Sequence, residues 1–351
     1  MEVPFSRSSL GAGAAVGRCA ELLRAGTGAA GVLMTSSCTS ALEVAALLSD
    51  VGPGDEVVMP SWTYVATANA FVLRGAMPVW ADVEPGTLNL DPASLSAALT
   101  ERTRAVVVVH YAGIAADMRA IGAIAAEREL FVVEDAAHAI GAALGGRALG
   151  TFGDVGALSF HHTKNVTCGE GGALLVRDGG LFARAEIVHD SGTDRAAFQR
   201  GDVPAYAWQE PGLHPALGEL PAQHLVGELE RVDAITEDRR RVWRAYEAAF
   251  GDHDVARVPE GAEHNAHIFW LRQADRGARD RLIAHAAARG VDLRFHYTPL
   301  HVSPAGRRLG RAGGPLGVTE AAAEGLVRLP LWEGMGDDDV ERVVDAVSTG
   351  L

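Results

Sequence analysis

The chain has 351 residues, of which 48% are hydrophobic, and carries 45 acidic against 31 basic side chains, for a formal net charge of −14. This length exceeds that of one compact core, so we expect two unequal lobes. The acidic balance, without a long basic block, argues against a nucleic-acid partner. No apolar run in the sequence approaches a membrane span, and the N-terminus does not read as a signal peptide, so we expect no membrane partner.

The cysteines bear on the redox compartment. Cys19, Cys38 and Cys168 are odd in number and lack CxxC spacing. The sequence therefore predicts neither a disulfide framework nor a zinc site, and it is consistent with a cytoplasmic location.

The first two thirds of the chain alternate short β-rich runs with helical patterns. Such alternation predicts an α/β architecture with a mostly parallel sheet covered by helices. The predicted strands are 56–59, 78–83, 105–110, 130–134, 156–160 and 173–176. The predicted helices among them are 41–48, 92–99 and 119–128.

A long helical pattern over 222–250 leads out of this lobe, and an α+β pattern follows it. We predict a strand at 267–272, a helix at 279–289 closed by Gly290, and a last helix at 337–347. The lobe boundary is placed near residue 235, which gives a large domain of residues 1–235 and a small domain of residues 236–351.

Lys164 is the first candidate for chemistry. It follows the apolar run 157–160 within the stretch Ser-Phe-His-His-Thr-Lys-Asn of residues 159–165. A lysine that forms a Schiff base must be neutral part of the time, which requires burial or a cationic neighbour. The alternative is a solvated loop lysine, and for a single lysine that alternative is the commoner one. Other motifs must therefore decide.

Asp135 ends the apolar run 130–133. It is expected at the carboxyl edge of the sheet, where open α/β folds bind ligands. A carboxylate there can pair with a protonated pyridine nitrogen. The alternative is an N-cap for a following helix, since Asp is a favoured capping residue.

A third motif is the hydroxyl-rich stretch 36–40, which precedes the apolar helix 41–48. A helix N-terminus with free amides suits a phosphate. The alternative is a capping box, because Ser40 and Glu43 have the S-x-x-E spacing. Both roles are compatible.

Two other patterns are rejected. The glycine-rich stretch 11–17 resembles a dinucleotide loop but follows no apolar strand. His161 and His162 are adjacent, so on an extended segment they should point to opposite faces and not share a metal ion. No metal site is predicted.

Six segments together carry a family resemblance, and they are 60–76, 110–113, 146–150, 200–201, 264–267 and 295–301. From about residue 32 to residue 331 the chain resembles the DegT/DnrJ/StrS sugar aminotransferases, pyridoxal phosphate enzymes of fold type I. It resembles most the branch that aminates dTDP-4-keto-6-deoxyglucose. The resemblance implies a large domain with a mostly parallel seven-stranded sheet and a small α+β domain.

The resemblance also implies roles for single residues. Lys164 would hold pyridoxal 5'-phosphate covalently and then move a proton between substrate and cofactor, through a pyridoxamine 5'-phosphate form. Asp135 would bind the pyridine nitrogen, His138 would lie by the ring and its phenolic oxygen, and Tyr64 would stack on the ring. The residues expected around the phosphate are Cys38, Thr39, Ser40 and Ser159.

The implied reaction moves an amino group from glutamate to a ketosugar carried on a nucleotide, of the dTDP-4-keto-6-deoxyhexose type, in a homodimer with shared active sites. Family dehydratases carry histidine in place of this lysine, so Lys164 favours transamination. Two alternatives stay open. One is the same chemistry on a 3-ketosugar or a cyclic ketone, and the other is a non-catalytic paralogue.

Three departures from the family pattern bear on the paralogue alternative. The segment from Phe5 to Arg18 is shorter than usual, which puts the N-terminal helix in question. Ala216 stands where many members have an asparagine that reaches the phosphate in the neighbouring subunit. Pro221 falls where a helix is expected and has no N–H to donate.

Overall fold

The computed structural model describes residues 13–351, so the Phe5–Arg7 segment and Gly11 lie outside the described residues. Gly13 is the N-cap of the first helix, which places the end of the glycine-rich stretch in a helix. The helices are α1 Ala14–Thr27, α2 Cys38–Leu48, α3 Val65–Val72, α4 Pro92–Ala98, α5 Met118–Glu127, α6 Gly179–His189, α7 Arg195–Arg200, α8 Glu219–Leu229, α9 Val232–Phe250, α10 Arg276–Ala287, α11 Pro304–Leu309, α12 Gly317–Gly325 and α13 Asp337–Ser348.

A large mixed sheet organises the first two thirds of the chain. Its strand order is β1-β9-β8-β5-β4-β2-β3-β13, and all neighbours from β8 to β13 are parallel, whereas β9 runs antiparallel to β1 and β8. The strands are β1 Gly31–Thr35, β2 Glu56–Pro60, β3 Met77–Ala81, β4 Thr103–Val109, β5 Phe131–Asp135, β6 Ala143–Leu144, β7 Arg147–Ala148, β8 Val155–Ser159, β9 Gly172–Val176, β10 Ala262–Glu263, β11 Phe269–Arg272, β12 Arg294–Phe295, β13 Arg311–Ala312 and β14 Leu326–Leu329.

The mostly parallel sheet is confirmed, with two additions. The sequence predictions omit β1, because its short apolar run has no period that separates a strand from a loop. The two-residue β13 adds an eighth strand to the expected seven. It comes from beyond residue 300 and is held by Arg311, whose guanidinium binds Glu56 on β2 at 2.7 Å.

Both faces of the sheet are covered, as the alternation along each strand requires. Val57 and Met59 pack in a core with α2 and α3, whereas Val58 packs on the other face with α4 and α5. Acidic and hydroxyl side chains start many of the helices by accepting backbone N–H groups. These caps are Ser37 for α2, Asp91 for α4, Asp117 for α5, Asp178 for α6, Asp275 for α10 and Ser303 for α11.

The predicted helix over 222–250 is two helices, α8 and α9, with a break at residues 230–231. The two apolar faces enter different cores. Leu225 on α8 packs with α1, whereas Trp243 and Tyr246 on α9 pack around the small sheet. Pro221 is the third residue of α8, where no intrahelical acceptor exists for an N–H, so it does not disturb the helix. The N-terminal helix in question is present as α1, whose Ala15 N–H donates to Glu219 at 2.9 Å.

The C-terminal part has its own antiparallel sheet of order β11-β14-β12, which shares one core with α9, α10, α12 and α13. We propose the lobe division near residue 235, at the start of α9, because the chain changes cores there. Two segments cross it. β13 returns to the large sheet, and Trp62 and Tyr111 enter the core around α9.

Candidate active site

Two parallel strands deliver polar side chains to one edge of the large sheet. β5 ends at Asp135 and β8 ends at Ser159, and these strands are neighbours in register. The turn after β8 leads to Lys164. Gly172 lets the start of α2 approach this edge, since a Cβ there would lie 2.5 Å from the Cys38 nitrogen.

A cavity of about 720 Å³ lies against this edge of the sheet. We call the side of the cavity that this edge forms the sheet wall. Most predicted site residues lie there. Ser40 does not line the cavity, and its hydroxyl is 3.1 Å from that of Ser37. The predicted residues that line the cavity are Cys38, Thr39, Tyr64, Asp135, His138, Ser159 and Lys164.

Lys164 is half-buried in this wall, and burial lowers the pKa of its amine below the ordinary lysine value. Arg328 lowers this pKa further, whereas Cys38 and Asp135 oppose the shift. A neutral amine is the form that attacks an aldehyde or takes a proton. Lys164 is also the only lysine in the sequence. If the protein forms a Schiff base through a lysine, this count alone identifies Lys164 as that lysine.

Asp135 is buried and held at both oxygens. Its Oδ2 accepts from the Thr67 hydroxyl at 2.7 Å, and its Oδ1 accepts from the Ala137 N–H at 3.2 Å. A turn rather than a helix follows, so the alternative reading as a helix N-cap is wrong. Thr67 was not predicted, and it fixes the carboxylate toward the cavity.

His138 is buried and neutral, since burial lowers its pKa well below the ordinary value and Lys164 and His267 lower it further. Its Nδ1 accepts the Ala112 N–H at 3.2 Å, so the ring proton resides on Nε2. His138 can therefore donate one hydrogen bond to a ligand oxygen.

The start of α2 provides an anion-binding end to the cavity. Ser37, not Ser40, is the N-cap, and its hydroxyl accepts the Ser40 N–H at 3.1 Å, so the expected capping box is wrong. The first amides of a helix have no acceptor within it. Those of Cys38 and Thr39 thus suit a phosphate, aided by the helix dipole.

The opposite wall of the cavity comes from the last third of the chain and was missed by the sequence predictions. Its polar and aromatic residues include His267, His296, Tyr297, Arg328 and Trp332. Asn165 orients His267: the Asn165 amide nitrogen donates to the Asn265 carbonyl at 2.9 Å, so its oxygen accepts from His267 Nδ1 at 2.8 Å. The motifs 264–267 and 295–301 were noted only as family likeness, and no spacing rule brings them to this cavity.

The prediction that His161 and His162 point to opposite faces is wrong. The chain turns after His161, and the two ring centroids lie 3.9 Å apart. Glu170 lies beside them, 3.4 Å from His161 Nε2. The expected opposite orientation of the two rings was one reason to predict no metal site here, and that reason no longer holds. The absence of a metal ion stays a prediction.

Comparison with known proteins identifies this arrangement. The model of the DegT/DnrJ/EryC1/StrS aminotransferase family matches residues 6–348. The chain belongs to this family. The protein is thus a pyridoxal phosphate-dependent aminotransferase, and its large mixed sheet with flanking helices is that of fold type I.

Several characterised proteins are similar over most of their length. The spore coat polysaccharide biosynthesis protein SpsC of Bacillus subtilis is 34% identical over 91% of this chain and 85% of its own. The GDP-perosamine synthase of Caulobacter vibrioides is 34% identical over 89% of this chain and 84% of its own. The structure of the aminotransferase TlmJ from Streptoalloteichus hindustanus superposes with a TM-score of 0.88, at 34% identity over 97% of this chain and 92% of its own.

The residues of this family member fit the cofactor. When bound, pyridoxal phosphate supplies an aldehyde that takes up an amino group and a ring that withdraws electrons from the reacting carbon. The amine of Lys164, the carboxylate of Asp135 and the first amides of α2 match its aldehyde, ring nitrogen and phosphate. In the described part of the chain, no helix is long and apolar enough to cross a membrane.

Proposed function

We propose that the protein transfers the amino group of glutamate to the keto group of a nucleotide-linked sugar, of the dTDP-4-keto-6-deoxyhexose type. The observation that carries the proposal is the cavity that Lys164 and Asp135 both line at the sheet wall. Its volume of about 720 Å³ lies in the range of sites that enclose a cofactor together with a substrate. The similarity to SpsC, a polysaccharide biosynthesis protein, and to a GDP-perosamine synthase supports a sugar substrate.

Each residue has a defined task in this proposal. Lys164 Nζ moves the proton at the reacting carbon in both half-reactions, and its lowered pKa keeps the neutral form available. With the cofactor bound, Asp135 would hold the ring nitrogen in its protonated state, His138 Nε2–H would donate to the ring oxygen and Tyr64 would stack on the ring. Cys38, Thr39 and Ser159 would surround the phosphate, whereas Ser40, which does not line the cavity, would act only through its N–H bond to the Ser37 hydroxyl.

We propose a homodimer as the active form. Several large apolar side chains are exposed in the described chain, among them Tyr64, Trp208 and Leu220, which expose 62%, 75% and 80% of their surface to solvent. Tyr64 lines the cavity and is exposed, so a second copy that covers Tyr64 would complete the site. Light scattering should give twice the chain mass, and Trp208→Ser should lower both the mass and the activity. A monomer of full activity would contradict the proposal.

The reaction is tested in two steps. Glutamate should bleach the visible band of the protein loaded with pyridoxal phosphate, and a later addition of dTDP-4-keto-6-deoxyglucose should restore it and release an amino sugar identified by mass. If only a 3-ketosugar or a cyclic ketone restores the visible band, that compound class and not the 4-ketosugar is the substrate. A protein that gains no visible band would favour the non-catalytic paralogue.

A further inference from the structure

The 3₁₀ turn Tyr111–Gly113 holds a strained residue beside His138. Ala112 has φ 60° and ψ 9°, a left-handed conformation that is costly for a residue with a Cβ. Such a residue persists only where its surroundings fix it. The Ala112 N–H donates to His138 Nδ1 at 3.2 Å, so this turn decides which ring nitrogen of His138 carries the proton.

Asn89 binds this turn through both halves of its amide. Its Oδ1 accepts the Tyr111 N–H at 2.7 Å, and its Nδ2 donates to the Ile114 carbonyl at 3.0 Å. Asn89 is buried, and its own carbonyl accepts the Glu84 N–H at 2.8 Å. The two amide bonds flank Ala112 in the chain, so they limit the rotation of the peptide that carries the Ala112 N–H.

A buried pair of side chains, His110 and Glu134, holds the start of the same turn. His110 Nδ1 accepts the Ala116 N–H at 3.2 Å, so His110 Nε2 carries the ring proton and donates to Glu134 Oε2 at 2.7 Å. Glu134 also accepts the N–H groups of Gly150 at 2.8 Å and Gly153 at 2.6 Å. Every hydrogen-bond neighbour of this carboxylate is a donor, which suits a group that only accepts.

The orientation of the Ala112 N–H matters because a neutral imidazole has only one donor nitrogen. An N–H opposite His138 Nδ1 excludes a proton on that nitrogen, since two donors would then face each other. If the turn moves away, both tautomers of His138 become accessible. In the second tautomer Nε2 is an acceptor, and it would face the ring oxygen of the cofactor, which is also an acceptor.

We propose that Asn89 and the pair of His110 and Glu134 are positioning residues for the cofactor. They hold the Ala112 N–H on His138 Nδ1 and so keep the proton of His138 on the nitrogen that binds the ring oxygen. None of the three lines the cavity, so they act through the turn. The inference rests on the role of His138 in the proposed function.

Nitrogen NMR of isotope-labelled histidine rings tests this assignment in the protein loaded with pyridoxal phosphate. His138→Gln identifies the two ring signals of His138 by their loss. The wild type should show a single tautomer with Nε2 protonated. Asn89→Ala removes both bonds to the turn and should move the two signals toward each other, as exchanging tautomers do. Glu134→Gln replaces an acceptor oxygen with a donor and should move them in the same direction.

Glu56→Gln is the matched control for a general loss of stability. Glu56 is a buried carboxylate of the same sheet, is bound by Arg311 and does not line the cavity. Its substitution should leave the His138 signals as they are in the wild type. The dissociation constant of pyridoxal phosphate should rise about fivefold in Asn89→Ala, as for the loss of one hydrogen bond, and should stay unchanged in Glu56→Gln.

Three results would overturn the proposal. They are a wild-type His138 with its proton on Nδ1, His138 signals that do not move in Asn89→Ala and Glu134→Gln, and an equal movement in Glu56→Gln. If neither turn variant folds, hydrogen exchange of the wild type decides, because the Ala112 amide should exchange as slowly as the amides of β4. Fast exchange there would also overturn it. These spectra need no substrate, so a failure to react with glutamate is a separate result that counts against the proposed function alone.

Discussion

The two walls of the cavity differ in how their polar groups are satisfied. On the sheet wall, Asp135 and His138 each have a defined protein partner. On the opposite wall, His267 is held by Asn165, but the buried Nε of Arg328 has no hydrogen-bond acceptor among residues 13–351. The polar groups of the sheet wall are therefore held in place by the fold, whereas the guanidinium of Arg328 on the opposite wall is available to a ligand.

The largest effect is expected at Lys164. Lys164→Ala removes the group that moves the proton, so turnover should fall at least about a thousandfold. Lys164→Arg is the matched control, because it keeps a cation that cannot become neutral. Steady-state kinetics should show the same loss in both variants. Substantial activity in Lys164→Arg would mean that charge rather than proton transfer is what the position supplies.

Asn265 joins the two walls and should have the largest effect on stability. Its amide nitrogen donates to the carbonyls of His138 at 2.7 Å and Ile140 at 2.8 Å, and its oxygen accepts the His267 N–H at 3.1 Å. Asn265→Ala leaves these buried groups unpaired, so the free energy of unfolding should fall by about 3 kcal/mol. Denaturant unfolding measures this loss. An unchanged midpoint would show that the walls are held together elsewhere.

Glu56 does not line the cavity, and a change at Glu56 measures how much its ion pair with Arg311 of β13 stabilises the sheet. Hydrogen bonds from Arg311 are the main cause that lowers its pKa to about 2 from an ordinary value of 4.5. The unfolded chain therefore binds this proton more readily, so the stabilisation is present above about pH 4.5 and is lost as the pH falls toward 2. Glu56→Gln should cost about 2 kcal/mol at neutral pH and little at low pH. Glu101→Gln, at an exposed position, is the control for this pH series.

The smallest effect is expected at Thr67, which donates to Asp135. Thr67→Val removes one hydrogen bond of the sheet wall and should weaken pyridoxal phosphate binding about fivefold. Thr67→Ser keeps the hydroxyl and should bind the cofactor as the wild type does. Fluorescence titration measures both constants, and equal weakening in the two variants would point to packing rather than to the hydroxyl.

A local rule predicted part of the sheet wall, whereas the predictions for Tyr64, His138 and Ser159 came from the family resemblance. Asp135 ends an apolar run, and parallel strands bring their carboxyl ends to one edge, so periodicity alone places it near ligands. The cap at Ser37 was mistaken for Ser40, since the start of α2 depends on backbone angles that a spacing rule does not determine. Thr67 was missed because its contact with Asp135 spans 68 positions in the chain.

The opposite wall could not be predicted in the same way. Arg328 lies on a strand of the small sheet, and only the packing of that sheet against the large one brings it to the cavity. The same limit explains β13, whose pairing with β3 joins residues more than 200 positions apart. Such contacts depend on the tertiary arrangement, and no local period encodes them.

One measurement tests the central claim most directly, that Lys164 on the sheet wall holds the cofactor. The protein loaded with pyridoxal phosphate is reduced with borohydride, digested and mapped by mass spectrometry. Because Lys164 is the only lysine in the sequence, the N-terminal amine is the sole competing amine. The account predicts one pyridoxyl group per chain on the peptide that contains Lys164. A label confined to the N-terminal amine, or no label at all, would contradict it.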